Sequence, residues 1–277
     1  MNRIRGLLLV TLLALAPASQ ALADELMPSF NTVPTGWYDT RYPADSISNP
    51  APGELAIGIG PNGSFSNRPS GFQSGFYSTQ GIGHAISGGA NDLLSAQLYV
   101  PTSWQTPANG SVRTDMWGSM TDGVGNPTNY PIIGFTNYGT GIADQTITGA
   151  TGVSYTGFRV WDDNANGGNG GWADLSSVPV KYGQFNTLSI DFTGTDFEYF
   201  VNGALVYDEA NLLGSVDFSQ VFMEAFNFDG DPNSPGANVV PYTALWANAV
   251  PEPNTLALFG AALGIGLMWR RRKVTAA

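Results

Sequence analysis

Residues 184–207 read QFNTLSIDFTGTDFEYFVNGALVY, an alternation of apolar and polar side chains interrupted twice by turn residues. Within 188–192 and 197–201 every second side chain is apolar, as expected when one face of a strand is buried. The Thr-Gly-Thr of residues 193–195 predicts one hairpin turn, and Asn202-Gly203, the favoured type I′ pair, predicts the next. The stretch therefore predicts three consecutive antiparallel strands.

The same strand-and-turn pattern extends in both directions from this stretch. Further strands are predicted at Glu54–Ile59, Gly75–Thr79, Leu93–Val100, Val112–Ser119, Ile132–Asn137, Gly157–Asp162, Gln220–Phe228 and Tyr242–Ala247. The proline-rich start, Leu26–Pro52, is expected to cross the sandwich edge, and only Asp208–Leu213 suggests a helical turn. So many short strands without helices predict one all-β domain over residues 24–249, an antiparallel jelly-roll sandwich.

The segment from Gly183 to Tyr207 resembles the concanavalin A-like and laminin G-like sandwiches. In those families a strand of the form aromatic-x-T-L-x-I precedes a strand that ends in V-N-G or V-D-G, and a short apolar strand follows. The resemblance implies a two-sheet jelly roll whose concave face often binds glycans. Lectins, glucanases and adhesion modules share this fold, so the fold alone does not fix a function.

Composition and charge exclude several classes of protein. The 277 residues include 35 Gly and 18 Pro but no Cys, which disfavours helical bundles and excludes disulfides and thiolate sites. The single histidine, His84, excludes sites that need two imidazoles. Between Asp24 and Val250 there are five basic and 21 acidic residues, a net charge of −16. A body this acidic repels phosphate backbones, so no nucleic-acid partner is expected.

The N-terminus has the pattern of a secretory signal peptide at residues 1–23. Arg3 and Arg5 precede the apolar run 6–16, and the Ala-Leu-Ala of residues 21–23 is a small-x-small cleavage pattern. Cleavage would leave Asp24 as the first mature residue. The alternative is an uncleaved N-terminal anchor, which the short apolar run disfavours.

The C-terminus combines three features in a fixed order. Pro251, Glu252 and Pro253 come first, followed by an uncharged apolar run, 254–269, that predicts a short transmembrane helix. The basic residues after it are expected to stay in the cytoplasm, which places the body outside. They are Arg270, Arg271, Arg272 and Lys273, with a tail at 274–277.

This arrangement over residues 250–273 resembles the PEP-CTERM sorting signal of Gram-negative bacteria. The resemblance implies export through the inner membrane, transient anchoring, and processing by an exosortase, a membrane-embedded cysteine protease. The expected location is the cell surface or the extracellular polysaccharide matrix. Carried over to this chain, Pro251, Glu252 and Pro253 form the recognition motif, and Arg270 to Lys273 hold the segment in place. The alternative is a plain anchor with an incidental Pro-Glu-Pro.

Candidate glycan contacts are aromatic side chains outside the core, since a sugar ring packs its C–H face on an aromatic ring. Trp172 follows the glycine-rich loop 167–171 and is the leading candidate, while Tyr130 and Tyr138 flank a predicted strand. Glu224 lies on an apolar strand face, where it either lines the concave groove or is a satisfied polar core residue. The tryptophans in strand patterns, among them Trp117, are expected in the core.

Two oxygen-rich segments are candidate calcium sites, because calcium prefers hard oxygen ligands. Asp162, Asn164 and Asn166 have the alternate spacing of a calcium loop, and Asp229 and Asp231 repeat it. The alternative is that both segments are turns, which use Asp, Asn and Gly for their backbone freedom.

Catalytic patterns are absent from the sequence. No E-x-D-x-E strand and no G-x-S-x-G turn occurs, and His84 lies in a glycine-rich stretch expected to be a connection. We therefore expect a non-catalytic ectodomain that binds extracellular polysaccharide. The alternatives are a structural matrix protein without a specific ligand and a glycoside hydrolase.

Overall fold

The computed structural model describes residues 24–139, 146–147, 152 and 154–249. These residues form an all-β sandwich of two sheets, as the sequence predicts. The pairings between neighbouring strands are antiparallel, apart from a short parallel pair at the N-terminal strand. The segment Ala165–Gly168 forms a short turn in which Asn166 and Gly167 have left-handed φ values of 53° and 72°.

The eight-stranded sheet has the order β13-β12-β11-β6-β15-β4-β3, and β1 pairs with β6 beside that path. Its strands are β1 Asp24–Glu25, β3 Ser46–Ser48, β4 Glu54–Ile59, β6 Asp92–Val100, β11 Gln184–Phe192, β12 Asp196–Val201, β13 Ala204–Ala210 and β15 Tyr242–Asn248.

The seven-stranded sheet has the order β10-β9-β8-β7-β14-β5-β2. Its strands are β2 Tyr38–Arg41, β5 Thr79–Gly88, β7 Val112–Thr121, β8 Ile132–Tyr138, β9 Tyr155–Asp162, β10 Gly171–Asp174 and β14 Asp217–Phe226.

The segment 184–207 forms the predicted pair of hairpins. β12 pairs antiparallel with both β11 and β13. Asn202 and Gly203 have φ values of 52° and 79°, the left-handed conformation that both central residues of a type I′ turn require. Local turn chemistry is therefore sufficient to set this part of the fold.

The core lies between the two sheets. Phe192 of β11 packs edge-on against Phe218 of β14 with ring centres 6.1 Å apart. The indole Nε1 of Trp246 in β15 donates a 3.0 Å hydrogen bond to Thr114 Oγ1 in β7. The main cluster of buried apolar side chains in the described residues runs from Phe30 to Trp246 and includes residues of both sheets.

Three local expectations are wrong. The segment Gly75–Ser78 is a 3₁₀ turn, and the strand begins only at Thr79. The glycine-rich stretch around His84 is the middle of β5, not a connection. The suggested helical turn at 208–213 is the end of β13, which extends to Ala210. In β5 and β13 pairing with neighbouring strands overrides local composition, whereas residues 75–78 precede the pairing of β5.

The proline-rich start lies at the sheet edges, as expected. β2 is the edge strand of the seven-stranded sheet, and β3 is the edge of the other. Within the described residues, no helix has the length and apolar character to cross a membrane. The predicted signal peptide and the 254–269 helix lie outside those residues.

Candidate functional site

The outer face of the seven-stranded sheet carries two parallel rows of side chains, one residue from each strand. The strand register places one row, which we call the aromatic row, across the whole sheet. The adjacent row, which we call the charged row, crosses the same strands two residues away from the first. The aromatic row is Tyr38, Gly83, Phe222, Trp117, Ile132, Trp161 and Trp172; the charged row is Thr40, Gly81, Glu224, Asp115, Gly134, Arg159 and Asp174.

An open groove of about 670 Å³ lies on this face at the β2 side of the sheet. Five aromatic side chains line it, together with Asp39, Arg41, Ser119 and Gln220 among its polar residues. Three of the rings are well exposed, with fractions of 42%, 63% and 40% for Tyr38, Phe76 and Tyr130. The other two are half-buried Trp117 and Phe222, whose ring centres lie 6.5 Å apart.

Arg41 forms part of the groove floor. Its guanidinium carbon lies 4.6 Å from the ring centre of Trp117 and 5.1 Å from that of Phe76, within the range of cation–π contacts. Its Nη1 donates a 2.7 Å hydrogen bond to Glu224 Oε1. The backbone of Arg41 has a φ of 51°, which is uncommon for a residue with a side chain.

Glu224 lies beneath Arg41 and is fully buried. Its Oε1 also accepts a 2.7 Å hydrogen bond from the Thr40 hydroxyl. Burial raises the pKa of the Glu224 carboxyl to about 7, although Arg41 and the bond from Thr40 act to lower it. Glu224 is thus a polar residue beneath the groove, and Arg41 and Thr40 separate it from solvent.

A second buried carboxylate, Asp115, is the cross-strand neighbour of Glu224. Its Oδ2 accepts a 2.7 Å hydrogen bond from Arg113 Nε. Glycines on the flanking strands provide space for the two carboxylates. A Cβ atom at Gly81 would lie 2.9 Å from Glu224 Oε2, and one at Gly134 would overlap Asp115 Oδ1. The two carboxylates therefore turn away from each other.

Two predicted ligand residues are buried, so the expectation that their rings are available to a sugar is wrong. Trp172 lies in β10 and is 3% exposed. Its ring packs against the guanidinium carbons of Arg159 at 3.8 Å and Arg113 at 4.7 Å. Tyr138 is 1% exposed, and its hydroxyl accepts a 2.9 Å hydrogen bond from Arg159 Nη1. Both rings pack on buried arginines.

The predicted calcium segment at 162–166 uses its polar groups in hydrogen bonds to the protein. Asp162 accepts from the backbone of Asn164 at 2.8 Å and from the Tyr207 hydroxyl at 2.6 Å. The side-chain nitrogen of Asn164 donates to the Ala210 carbonyl at 2.7 Å, and that of Asn166 donates to the Gly170 carbonyl at 2.8 Å. The segment is a hydrogen-bonded turn, and calcium binding there stays a prediction.

Glu209 of β13 connects this turn to the other sheet. It accepts from the backbone of Asp163 at 2.9 Å and from the Tyr199 hydroxyl at 2.9 Å. Burial, together with the nearby Asp163 and Asp162 carboxylates, raises the pKa of Glu209 to about 8, although the bond from Tyr199 acts to lower it. Glu209 therefore forms a buried hydrogen-bonded link between the two sheets, with the Asp162 and Asp163 carboxylates nearby.

The second predicted calcium segment lies toward the opposite end of the seven-stranded sheet, beyond Phe226. Asp231 is buried, and its Oδ1 accepts a 2.8 Å hydrogen bond from the backbone of Asn233. The carbonyl of Asp229 accepts from Phe65 at 2.9 Å. Among the described residues no three Asp, Glu, His or Cys side chains are grouped so that they could hold a metal ion.

The groove includes one predicted residue, Tyr130, while Glu224 lies below it. The other aromatic residues of the groove and its arginine are not candidates from the sequence: Tyr38, Arg41, Phe76, Trp117 and Phe222. A usable indication was the alternation of Arg113, Asp115 and Trp117, which is unusual for a strand face buried in a core. No sequence pattern placed Tyr38 or Phe76 beside it, because strand order in the sheet brings them there.

Comparison with protein families identifies the C-terminal segment. Residues 249–273 match the model of the PEP-CTERM protein-sorting motif, which confirms the resemblance of the C-terminus. This motif implies an exported protein that an exosortase sorts and that its C-terminal region anchors transiently. Among curated proteins none matches the sequence significantly.

Solved structures with a similar chain path include several glucanases. A Bacillus licheniformis β-glucanase is 13% identical, with a TM-score of 0.43, and the match covers 79% of this chain and 93% of that one. A lichenase from a mouse hindgut metagenome is 15% identical, with a TM-score of 0.41 and coverages of 79% and 94%. Rv0315 of Mycobacterium tuberculosis, described as a pseudo β-1,3-glucanase, is 12% identical, with a TM-score of 0.43 and coverages of 82% and 95%.

Proposed function

We propose that this chain is a cell-surface or matrix protein whose ectodomain binds a glycan without cleaving it. The observation that carries this proposal is the open groove on the seven-stranded sheet, with five aromatic rings and a few polar groups. Aromatic rings offer flat apolar surfaces for the C–H faces of sugars, and the polar groups fix their orientation.

The exposed position of the rings supports binding in preference to a structural role. Tyr38, Phe76 and Tyr130 expose two-fifths or more of their surface, although large apolar side chains gain most from burial. Their grouping on one groove is what distinguishes a binding site from isolated surface residues. An extended polymer fits such an open groove better than an enclosed small molecule does.

The surroundings of the carboxylates support the absence of catalysis. Glycoside hydrolysis needs two carboxyl groups that reach the scissile bond. Glu224 is held by Thr40 and Arg41, and Asp115 is held by Arg113, so both are buried and engaged. A sugar in the groove would meet the Arg41 guanidinium before either carboxylate.

The proposal is tested by the binding of the full chain, held in uncharged-detergent micelles, to an array of bacterial polysaccharides and glycans. We expect saturable binding to at least one neutral or amino-sugar glycan, both with calcium and with a chelator. Phe76→Ala should weaken it by about tenfold, as loss of one stacking ring commonly costs about 1 kcal/mol or more.

A matched control is Phe185→Ala. Phe185 is a half-buried aromatic residue that pairs with Tyr99 in the eight-stranded sheet, away from the groove. It should bind as the unchanged chain does. Absence of binding to every glycan would overturn the proposed function, as would release of reducing sugar that Glu224→Gln abolishes.

Sorting is tested separately from binding. Replacing Pro251, Glu252 and Pro253 by alanine in a host that contains an exosortase should leave the C-terminal segment uncut. Processing of the variant at the normal rate would show that the motif does not direct it. Electrophoretic mobility of the cell-associated and released chain gives the readout.

A further inference from the structure

Nearly all basic side chains of the ectodomain are withdrawn from its surface. Arg68, Arg113 and Arg159 are buried, with exposed fractions of 2%, 8% and 0%. Arg41 is half-buried and paired with Glu224, so Lys181 is the one exposed base in the described residues. Fifteen described acidic residues, by contrast, are exposed or half-buried.

On the surface of the described residues, accessible acidic side chains therefore outnumber accessible Arg and Lys side chains by fifteen to two. A surface of one sign attracts ligands of the opposite sign and repels ligands of its own. Polyuronates and other acidic matrix polymers would have to approach against this field. The negative surface field neither attracts nor repels neutral polymers, and it attracts polymers that carry ammonium groups.

The groove itself contains the chemistry that holds a cation. Phe76 and Trp117 already hold the Arg41 guanidinium over their faces, and Glu224 Oε1 accepts a 2.7 Å hydrogen bond from it. Asp39 is exposed and is one of the residues that line the same groove. The exposed rings of Tyr38 and Tyr130 add further π-faces, and an ammonium group gains from both a ring face and a carboxylate.

We propose that the ligand of this groove is a glycan with free amino groups, such as a partly deacetylated amino-sugar polymer. This inference rests on the proposed glycan-binding function and specifies its substrate class. The sugar rings stack on the aromatic side chains, and an ammonium group of the sugar is placed beside Asp39. The acidic surface around the groove favours the approach of the remaining amines along the polymer.

The test compares two probes of equal length by calorimetry. The first is the β-1,4-linked hexasaccharide of N-acetylglucosamine, and the second is the same hexasaccharide fully deacetylated. With the full chain in uncharged micelles at about pH 6 and about 0.02 M salt, we expect the deacetylated probe to bind about tenfold tighter. At about 0.5 M salt this preference should fall to about twofold, because salt screens the surface charge.

Two variants locate the preference. Asp39→Asn should reduce it toward equal binding, whereas Asp208→Asn should keep it. Asp208 is a matched control, since it is an exposed aspartate on the edge strand β13 of the other sheet. A preference lost with Asp208→Asn and kept with Asp39→Asn would overturn the placement in the groove.

The outcomes separate this inference from the proposed function. Equal binding of the two hexasaccharides, or tighter binding of a hexagalacturonate, would overturn the amino-sugar assignment and leave glycan binding intact. If the chain binds another glycan on the array but neither hexasaccharide, the amino-sugar assignment is also overturned and glycan binding stands. A chain that binds no glycan at all would overturn both.

Discussion

Trp172 illustrates how burial decides the role of a single aromatic residue. Its ring packs against two guanidinium groups and is almost fully enclosed, so its energetic contribution is to the fold. We expect Trp172→Ala to lower the free energy of unfolding by about 3–5 kcal/mol, the usual cost of a large-to-small core substitution. Chemical denaturation of the purified chain measures this.

Trp172→Phe separates folding from binding. Since it keeps a ring beside Arg159 and Arg113, the loss of stability should be smaller and glycan binding should be unchanged. A variant that folds with full stability but no longer binds its glycan would instead make Trp172 a ligand contact.

Glu224 makes stability depend on pH. A carboxyl group whose pKa is raised in the folded state stabilises the fold when it is protonated. This contribution is complete below its ordinary value of 4.5 and is lost as pH rises through about 7. Glu224→Gln cannot ionise and keeps an acceptor for Thr40, so at about pH 8 it should be more stable than the unchanged chain, by up to about 3 kcal/mol.

The measurement for Glu224 is the unfolding free energy of both chains from about pH 5 to about pH 8. The difference between them should grow with pH in favour of the glutamine variant. A difference that is constant with pH, or one that grows in favour of the unchanged chain, would contradict the buried, raised-pKa description of Glu224.

At the scale of strands, the glycines of the charged row determine whether the carboxylates fit. A Cβ at Gly134 would overlap Asp115 Oδ1 and the Thr114 carbonyl, and the backbone cannot move without disturbing β7. Gly134→Ala should therefore cost about 2–4 kcal/mol through overpacking. Gly89→Ala is the control, because its Cβ would have ordinary contacts at 3.5 Å or more.

Thermal unfolding of the two variants gives the comparison. Equal midpoints for Gly134→Ala and Gly89→Ala would show that the charged row tolerates a methyl group and that its close packing is not required. Destabilisation confined to Gly134→Ala is the expected result.

Element by element, the sequence was informative where local chemistry determines structure. The Asn202-Gly203 turn and the alternation in β11 and β12 were sufficient to predict the hairpins. β5 was missed beyond Thr79, since its glycines suggest a connection when they are considered alone. In the sheet these glycines lie opposite Glu224 and Phe222 of β14 and leave space for those side chains. This role depends on strand pairing and is not evident from the sequence of β5 alone.

The groove could not be predicted for the same reason. Tyr38 and Trp117 lie far apart in sequence and line one groove because β2 and β7 flank the pair β5 and β14. Trp172 is the leading candidate from the sequence, yet it is buried against arginines, while the weaker candidate Tyr130 is exposed. Only sheet order and the direction of each side chain distinguish them.

For the molecule as a whole, the net charge of −16 over residues 24–249 predicts a response to salt. The acidic side chains repel one another in the compact state, and salt screens that repulsion. Raising sodium chloride from about 0.02 M to about 0.3 M should increase the free energy of unfolding by about 1 kcal/mol. Denaturation at both concentrations measures the effect, and a decrease would mean that attractive pairs dominate the surface.

Glycan binding in the aromatic groove can be tested by hydroxyl-radical footprinting of the full chain, with and without a glycan selected on the array. Ligand should protect Tyr38, Phe76 and Tyr130, the exposed rings of the groove, and leave Tyr99 and Phe185 on the other sheet unchanged. Protection of Tyr99 and Phe185, or of no aromatic residue at all, would contradict binding in this groove.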